Sequence, residues 1–117
     1  MLVYDIFEYL TADGHSPFSE WLQGLGDLKA RARIRTRLDR FRLGNPGDYA
    51  SVGDHVFELR FFFGPGYRVY YGLKADSKVV LLGGGTKDTQ QRNIRVVREY
   101  WNDYRNRNSG NEQKVSG

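Results

Sequence analysis

Four polar side chains fall on one face of a predicted β-hairpin formed by residues 55–63 and 67–74: Glu58, Arg60, Arg68 and Tyr70. A guanidinium group binds phosphate oxygens through two parallel N–H donors, and a tyrosine ring offers a surface on which a base can stack. Such a face could hold the phosphate backbone of a nucleic acid. The alternative is an exposed ion pair between Glu58 and one arginine, which stabilises a protein by only about 0.2–1 kcal/mol.

The loop between the two strands decides whether these side chains share a face. The predicted turn is Gly64-Pro65-Gly66. A two-residue turn would place Arg68 among phenylalanines, where an unpaired charge is costly. A three-residue turn pairs Arg60 with Tyr70 and keeps the apolar side chains together on the opposite face. We therefore predict the odd-numbered loop.

Positive charge is the second feature that indicates a polyanionic partner. The net charge is +4 with an isoelectric point near 9.5, and seven of the 18 cationic residues lie within Lys29–Arg42. Most are arginines, whose planar group binds phosphate or carboxylate in a bidentate manner. The cluster favours binding to nucleic acid or to an acidic protein, and a solvated helix face is the alternative.

Composition excludes several classes of function. The chain has no cysteine, so it has neither disulfides nor a thiol nucleophile. It contains no apolar run of the roughly 18–20 residues that a membrane span needs. The first residues lack the basic and then apolar pattern of a signal peptide. We therefore expect a cytoplasmic protein that has no membrane partner.

Apolar periodicity predicts the order β-α-α-β-β-β-α, an α+β fold in which an N-terminal helical hairpin and a C-terminal helix pack on a mostly antiparallel sheet. The predicted elements are a strand over residues 2–10, a helix from Pro17 capped by Ser16, a helix from Asp27 to about Leu43, strands over 55–63, 67–74 and 78–82, and a helix from Asp88 or Thr89 to about Tyr104. We predict a loop at 49–53 and a strand end at Gly83. Residues 1–104 then form one domain, and 105–117 form a polar, disordered tail.

Several short motifs match one family in order and at compatible spacing. They are Ser16-Pro17-Phe18 with Trp21-Leu22, Ala30-Arg31-Ala32-Arg33-Ile34, Gly44-Asn45 with Gly47-Asp48, Glu58-Leu59-Arg60, Gly64-Pro65-Gly66-Tyr67-Arg68-Val69-Tyr70-Tyr71, and Leu81-Leu82 followed by Gly83-Gly84 and Lys87. Over nearly all of its predicted folded part, the sequence resembles the RelE/ParE superfamily of type II toxins. The closest likeness is to the phage-related addiction module killer protein (HigB-like) branch.

The resemblance implies a compact fold of the microbial-RNase type, with no metal and no cofactor. It implies the toxin of a toxin–antitoxin system, most simply an endoribonuclease that cuts mRNA in the ribosomal A site and halts translation. The expected partners are the ribosome with its mRNA and a cognate antitoxin, of helix-turn-helix type and encoded in the same operon. Through that antitoxin the complex would bind operator DNA.

The resemblance also suggests roles for individual residues. Arg68 lies where RelE-type enzymes place an arginine at the scissile phosphate, Lys87 matches a second cation and Arg60 a basic strand residue. Metal-independent cleavage also needs a base and an acid. Glu58 and His55 are the candidate bases, and Lys87 is a candidate acid.

For contacts to RNA or the ribosome we select Arg31, Arg35, Arg37 and Tyr70. The sequence departs from ribosome-dependent RelE enzymes at Glu58, where they carry a lysine. It also departs in the last helix, where Gln90 or Asn93 falls near their tyrosine. Two alternatives therefore stay open: a ParE-like inhibitor of DNA gyrase, and an inactive homologue that binds only antitoxin or DNA.

Overall fold

The computed structural model describes residues 3–75, 77–107 and 111–115. Its elements in chain order are β1 (Asp5–Tyr9), α1 (Pro17–Gln23), α2 (Leu28–Arg42), β2 (Tyr49–Gly53), β3 (Val56–Arg60), β4 (Tyr67–Lys74), β5 (Lys78–Thr86), a 3-10 turn (Lys87–Thr89), α3 (Gln90–Asn106) and β6 (Glu112–Lys114). The prediction of an α+β fold is confirmed. The sheet is mixed, with the strand order β2-β3-β4-β5-β1-β6. Of these strands, β1 and β5 pair in parallel, and the other neighbours pair antiparallel.

Two strands were not predicted, so the predicted order of elements was incomplete. Residues 49–53, predicted as a loop, form the edge strand β2 and pair with β3. The segment predicted to be a disordered tail contains β6, which pairs with β1. Both strands are short and contain few large apolar residues. They form because they pair with a neighbouring strand, and the periodicity of apolar residues in the sequence does not reveal them. Residues 108–110 and 116–117 lie outside the described part of the chain.

The first two helices begin where their capping residues predict. The Ser16 side chain accepts a hydrogen bond from Ser19 N at 3.1 Å, with Pro17 in the first helical position. Asp27 accepts hydrogen bonds from the first backbone N–H groups of α2. No helix in the described ranges is long and apolar enough to cross a membrane.

Helices cover both faces of the sheet. On one face, α1 and α2 bury Phe18, Leu22, Ile34 and Phe41 against strand residues such as Leu59. On the other face, α3 places Val97, Trp101 and Tyr104 over Tyr70, Val80 and Leu82. The face that carries Glu58, Arg68 and Tyr70 is therefore largely covered, because the apolar stripe of α3 packs on it.

The β3–β4 hairpin has an odd-numbered loop, as predicted, but the predicted register is wrong by two residues. Arg60 lies opposite Arg68, and Glu58 lies opposite Tyr70. The loop is longer because the last strand pair joins Phe61 and Tyr67, with a 3.0 Å hydrogen bond between their backbones. A shift of two residues preserves the faces, so the four polar residues still share one side of the sheet.

The strand β5 continues through Gly83, Gly84 and Gly85, where we had predicted its end. A Cβ atom at Gly84 would lie 2.2 Å from the Trp21 ring, and one at Gly85 would lie 2.0 Å from Asn93 Oδ1. The glycines are therefore strand residues that allow helices to approach the sheet closely from both sides.

Candidate functional site

Glu58 is the buried centre of a charged cluster on β3 and β4. Its side chain is 1% exposed. It accepts hydrogen bonds from Arg60 Nε at 3.1 Å and from Gln90 Nε2 at 2.9 and 3.0 Å. Gln90 opens α3, so its amide connects that helix to the sheet. Burial and these partners leave the carboxylate out of reach of a substrate, and Glu58 does not serve as the base predicted from the sequence.

Arg68 lies beside Glu58 and is itself almost fully buried. Its Nη1 donates to the carbonyl oxygens of Gly66 and Tyr67 at 3.1 and 3.2 Å, which fixes the guanidinium against the hairpin loop. Its Nε lies 3.9 Å from Glu58 Oε2, beyond hydrogen-bonding distance. Arg68 is thus preorganised near the surface and retains unused hydrogen-bonding capacity.

Arg60 is the more accessible arginine of the pair. Its side chain is 37% exposed, and Glu58 is its ion-pair partner. Tyr70, directly opposite Glu58, is 0% exposed. The expectation that the Tyr70 ring contacts a base is therefore wrong, because α3 covers it.

Lys87 reaches the same corner of the molecule from the turn before α3. Its backbone N donates to Gly66 O at 2.9 Å, and its side chain is exposed. With Arg68 it lines a shallow, open depression of about 300 Å³ around the hairpin loop. The other lining residues are Phe61, Phe62, Gly64, Pro65 and Gly66. Within the part of the chain that the structure describes, two cations and no acidic side chain therefore line the depression.

Phe62 was not among the predicted site residues. It is 79% exposed and lies in the wall of the depression. The sequence did contain a signal for it. In the predicted strand Phe62 shares a face with Glu58 and Arg60, opposite the face of the core phenylalanines. An exposed ring beside two cations is the combination that proteins use to hold single-stranded nucleic acid.

His55 does not belong to this site. It lies in the two-residue turn between β2 and β3, at the end of β3 opposite Arg60, and its carbonyl accepts a hydrogen bond from Leu73 N. Arg60 lies five positions further along the chain, about 17 Å away at the usual rise of a strand. It is therefore not placed to act as a base beside Arg68.

The selected arginines of α2 do not form one surface. Arg37 donates to the backbone oxygens of Pro46, Asp48 and Arg60 and stacks on Phe61, so it holds the loop after α2 against the sheet. That guanidinium is occupied by the fold, which corrects its predicted role in binding. Arg35 lines a different depression, beside two acidic side chains, Glu8 and Asp39. Arg31 is half-buried.

The chemistry that this arrangement supports is the binding of a phosphate group. Arg68 and Lys87 supply charge, and the 3-10 turn and α3 begin at the same corner, where a helix favours anions. Among the described residues, no carboxylate, imidazole or hydroxyl lines the depression. Across residues 3–75, 77–107 and 111–115, no three His, Asp or Glu side chains group as metal ligands.

Comparison with known proteins identifies one close relative. No family model matches the sequence. A protein of Haemophilus influenzae (strain ATCC 51907 / DSM 11121 / KW20 / Rd), described as an uncharacterized protein, is 46% identical over 81 residues. The match covers 69% of this chain and 82% of that protein. The chain belongs to the same family as this H. influenzae protein.

Proposed function

We propose that the chain is the toxin of a type II toxin–antitoxin pair, with a RelE/ParE-like fold of the microbial-RNase type. In this proposal α1 and α2 correspond to its N-terminal helical hairpin. The toxin acts as a ribosome-dependent mRNA endoribonuclease in the cytoplasm and halts translation. A cognate antitoxin from the same operon neutralises it, and the two together bind operator DNA.

The observation that carries this proposal is the depression lined by Arg68 and Lys87. A phosphodiester has one negative charge and two non-bridging oxygens, which suit a fixed guanidinium and a flexible ammonium group. Phe62 adds an exposed ring at the edge, where an adjacent base can stack.

In the proposed reaction a solvent water takes the proton of the ribose 2′-hydroxyl, and the 2′-oxygen attacks the adjacent phosphorus to form a 2′,3′-cyclic phosphate. The 5′-oxygen leaves with a proton from the Lys87 ammonium group. Negative charge builds on the phosphorane, and fixed cations stabilise it most where water is excluded. Arg68 and Lys87 are the residues for this task, with Arg60 as a third cation. Lys87 is also the one proton donor among the lining residues whose side chain can move to the leaving oxygen. The ordering of the mRNA by the ribosome then supplies the alignment of the 2′-oxygen.

Induction in cells tests the target. We expect growth arrest, together with new 5′ ends inside translated messages in primer extension. Lys87→Ala should reduce the cuts by about tenfold or more, because an exposed phosphate contact is lost without damage to the fold. The matched control is Lys74→Ala, at the opposite end of β4, which should cut like the wild type.

A ParE-like inhibitor of DNA gyrase is the second candidate, and the burial of Glu58 favours it. A nuclease needs a base, and the depression has none of the side chains that usually serve. Purified protein that blocks gyrase supercoiling while translated mRNA stays intact would establish this alternative and exclude the nuclease. Expression without growth arrest would indicate an inactive homologue.

The antitoxin that we propose carries an acidic or amphipathic segment. The net charge of +4 favours such a partner through charge complementarity. The measurement is co-purification with the product of the neighbouring reading frame. A complex that forms at low salt and weakens as salt rises would support this partner.

A further inference from the structure

Two buried hydrogen-bond donors beside Glu58 have no acceptor. Arg68 Nε and the Tyr70 hydroxyl are both inaccessible to solvent and without a partner among the described residues. An unpaired buried polar group costs about 1–3 kcal/mol, so proteins retain few of them. Here one of them lies 3.9 Å from Glu58 Oε2, and the other belongs to the residue that pairs with Glu58 across the two strands.

Both donors lie on the strand next to Glu58. Tyr70 lies directly across from Glu58 on β4, on the same face of the sheet. Arg68 Nε is 3.9 Å from Glu58 Oε2, so a movement of about 1 Å would bring it to hydrogen-bonding distance. Burial, followed by the nearby Glu58 carboxylate, raises the pKa of Tyr70 well above its ordinary value, so the hydroxyl keeps its proton and remains a donor.

The carboxylate is engaged by a residue that is able to leave. Arg60 donates to Glu58 Oε2 through Nε, yet its side chain is 37% exposed. Arg60 also lies directly opposite Arg68, which lines the depression. While Arg60 is paired with Glu58, much of its charge is neutralised and it is a weak ligand for phosphate.

We propose that Glu58 is a positioning residue that exchanges arginines when a phosphate binds. As the phosphate of single-stranded RNA enters the depression, Arg60 leaves Glu58 and turns to the phosphate. Arg68 Nε and the Tyr70 hydroxyl then donate to the Glu58 oxygen that Arg60 has released. The exchange adds one cation to the phosphate site and gives both buried donors an acceptor. It rests on the proposed function, in which this depression binds RNA.

The exchange also explains the position of Gln90. Its amide bonds both oxygens of Glu58, so the carboxylate is held in place while its other partners change. After the exchange Arg68 is fixed from two sides, by Glu58 and by the carbonyls of Gly66 and Tyr67. A guanidinium fixed in this way presents its remaining edge to the phosphate with little loss of entropy.

The test is the affinity of a short, fluorescently labelled single-stranded RNA oligonucleotide, measured as a function of salt. Tyr70→Phe should weaken RNA binding by about tenfold. In this variant Arg60 still has to leave Glu58, but the hydrogen bond from the Tyr70 hydroxyl that would replace it is missing. The melting temperature of the variant should not fall, since the hydroxyl has no partner in the free protein. Tyr71→Phe removes a hydroxyl from the opposite face of the same strand, and it should bind RNA like the wild type.

A double-mutant cycle separates the exchange from a structural role of Tyr70. Arg60→Ala should reduce the slope of log K against log salt by about 0.7, one phosphate contact. In that background there is no arginine to release, so adding Tyr70→Phe should change the affinity no further. Loss of affinity from Tyr70→Phe in both backgrounds, or in neither, would overturn the exchange.

Lys87→Ala shows which proposal has failed. If this variant weakens binding and lowers the salt slope while the cycle shows no coupling, the depression binds RNA and only the exchange is wrong. If Lys87→Ala changes neither the affinity nor the slope, the depression does not bind RNA, and both the proposed function and the exchange are overturned.

Discussion

At the scale of single residues, burial separates the side chains that we propose to bind RNA from those that we propose to position them. Lys87 and Phe62 are exposed at the depression, whereas Glu58 and Tyr70 are fully buried behind it. Arg68 belongs to both groups, since the loop carbonyls hold it while it lines the depression. Substitutions should therefore affect binding and stability to different extents at each position.

Gly66 allows the two cations to meet, and Gly66→Ala tests this. Its φ is +76°, and a Cβ atom would lie 3.3 Å from Lys87 Cβ and 3.6 Å from Arg68 Nη1. We expect the free energy of unfolding to fall by about 2 kcal/mol. We also expect the variant to lose most of its RNA cleavage. Gly14→Ala is the control, because φ there is +82° but nothing lies within 4 Å. It should cost only the backbone strain, about 1 kcal/mol, and leave cleavage unchanged. Equal losses of cleavage in both variants would contradict the role of Gly66.

Arg37 should be a stability residue. Arg37→Lys keeps the charge but cannot reach the backbone oxygens of Pro46, Asp48 and Arg60 together. We expect the free energy of unfolding to fall by about 2–3 kcal/mol in urea titrations. Arg35→Lys, on an exposed position of the same helix, should change it by less than about 0.5 kcal/mol. A similar small effect at both positions would show that the three hydrogen bonds contribute little.

At the scale of elements, the sequence predicts faces better than it predicts register. Alternation placed Glu58, Arg60, Arg68 and Tyr70 on one side of the hairpin, and this was right because a shift of two residues preserves the side. The register itself depends on where Phe61 and Tyr67 make the last pair, which no pattern reveals. The burial of Tyr70 could not be predicted either, because strand patterns do not show which face α3 covers.

The turn between β2 and β3 is strained, and relieving the strain should stabilise the protein. Asp54 and His55 have φ values of +56° and +63°, and two-residue turns of this kind favour Asn-Gly. The double variant Asp54→Asn/His55→Gly should raise the free energy of unfolding by about 1 kcal/mol and leave RNA cleavage unchanged. A stabilised protein that no longer cuts RNA would show that His55 takes part in cleavage.

At the scale of the whole molecule, the C-terminal segment adds an edge strand to the sheet. The strand β6 pairs with β1, and its Glu112 accepts hydrogen bonds from Lys78 Nζ at 2.8 Å and from the Tyr104 hydroxyl at 2.5 Å. Polar composition alone predicted disorder here. Specific hydrogen bonds to distant residues order the segment, and composition cannot reveal such bonds.

Glu112 should make stability depend on pH. Burial acts to raise the pKa of Glu112, but the hydrogen bonds from Lys78 and Tyr104 lower it below the ordinary value. A carboxyl group whose pKa is lowered on folding stabilises the protein at pH values above its ordinary pKa. This contribution is lost as the pH falls below about 4.5. Glu112→Gln should therefore reduce the free energy of unfolding at neutral pH and flatten its decline in acid. Glu99→Gln, an exposed position on α3, should leave the profile unchanged, and an identical profile for Glu112→Gln would refute the coupling.

Cleavage of a defined mRNA on purified ribosomes is the direct test of the proposed nuclease activity. The message is labelled at its 5′ end and stalled with a known codon in the A site, and the protein is then added. We expect a cut at that codon by the wild type and by Lys74→Ala, and a rate at least about tenfold lower for Lys87→Ala. A wild-type protein that leaves the message intact, or a Lys87→Ala variant that cuts at the wild-type rate, would contradict the proposal.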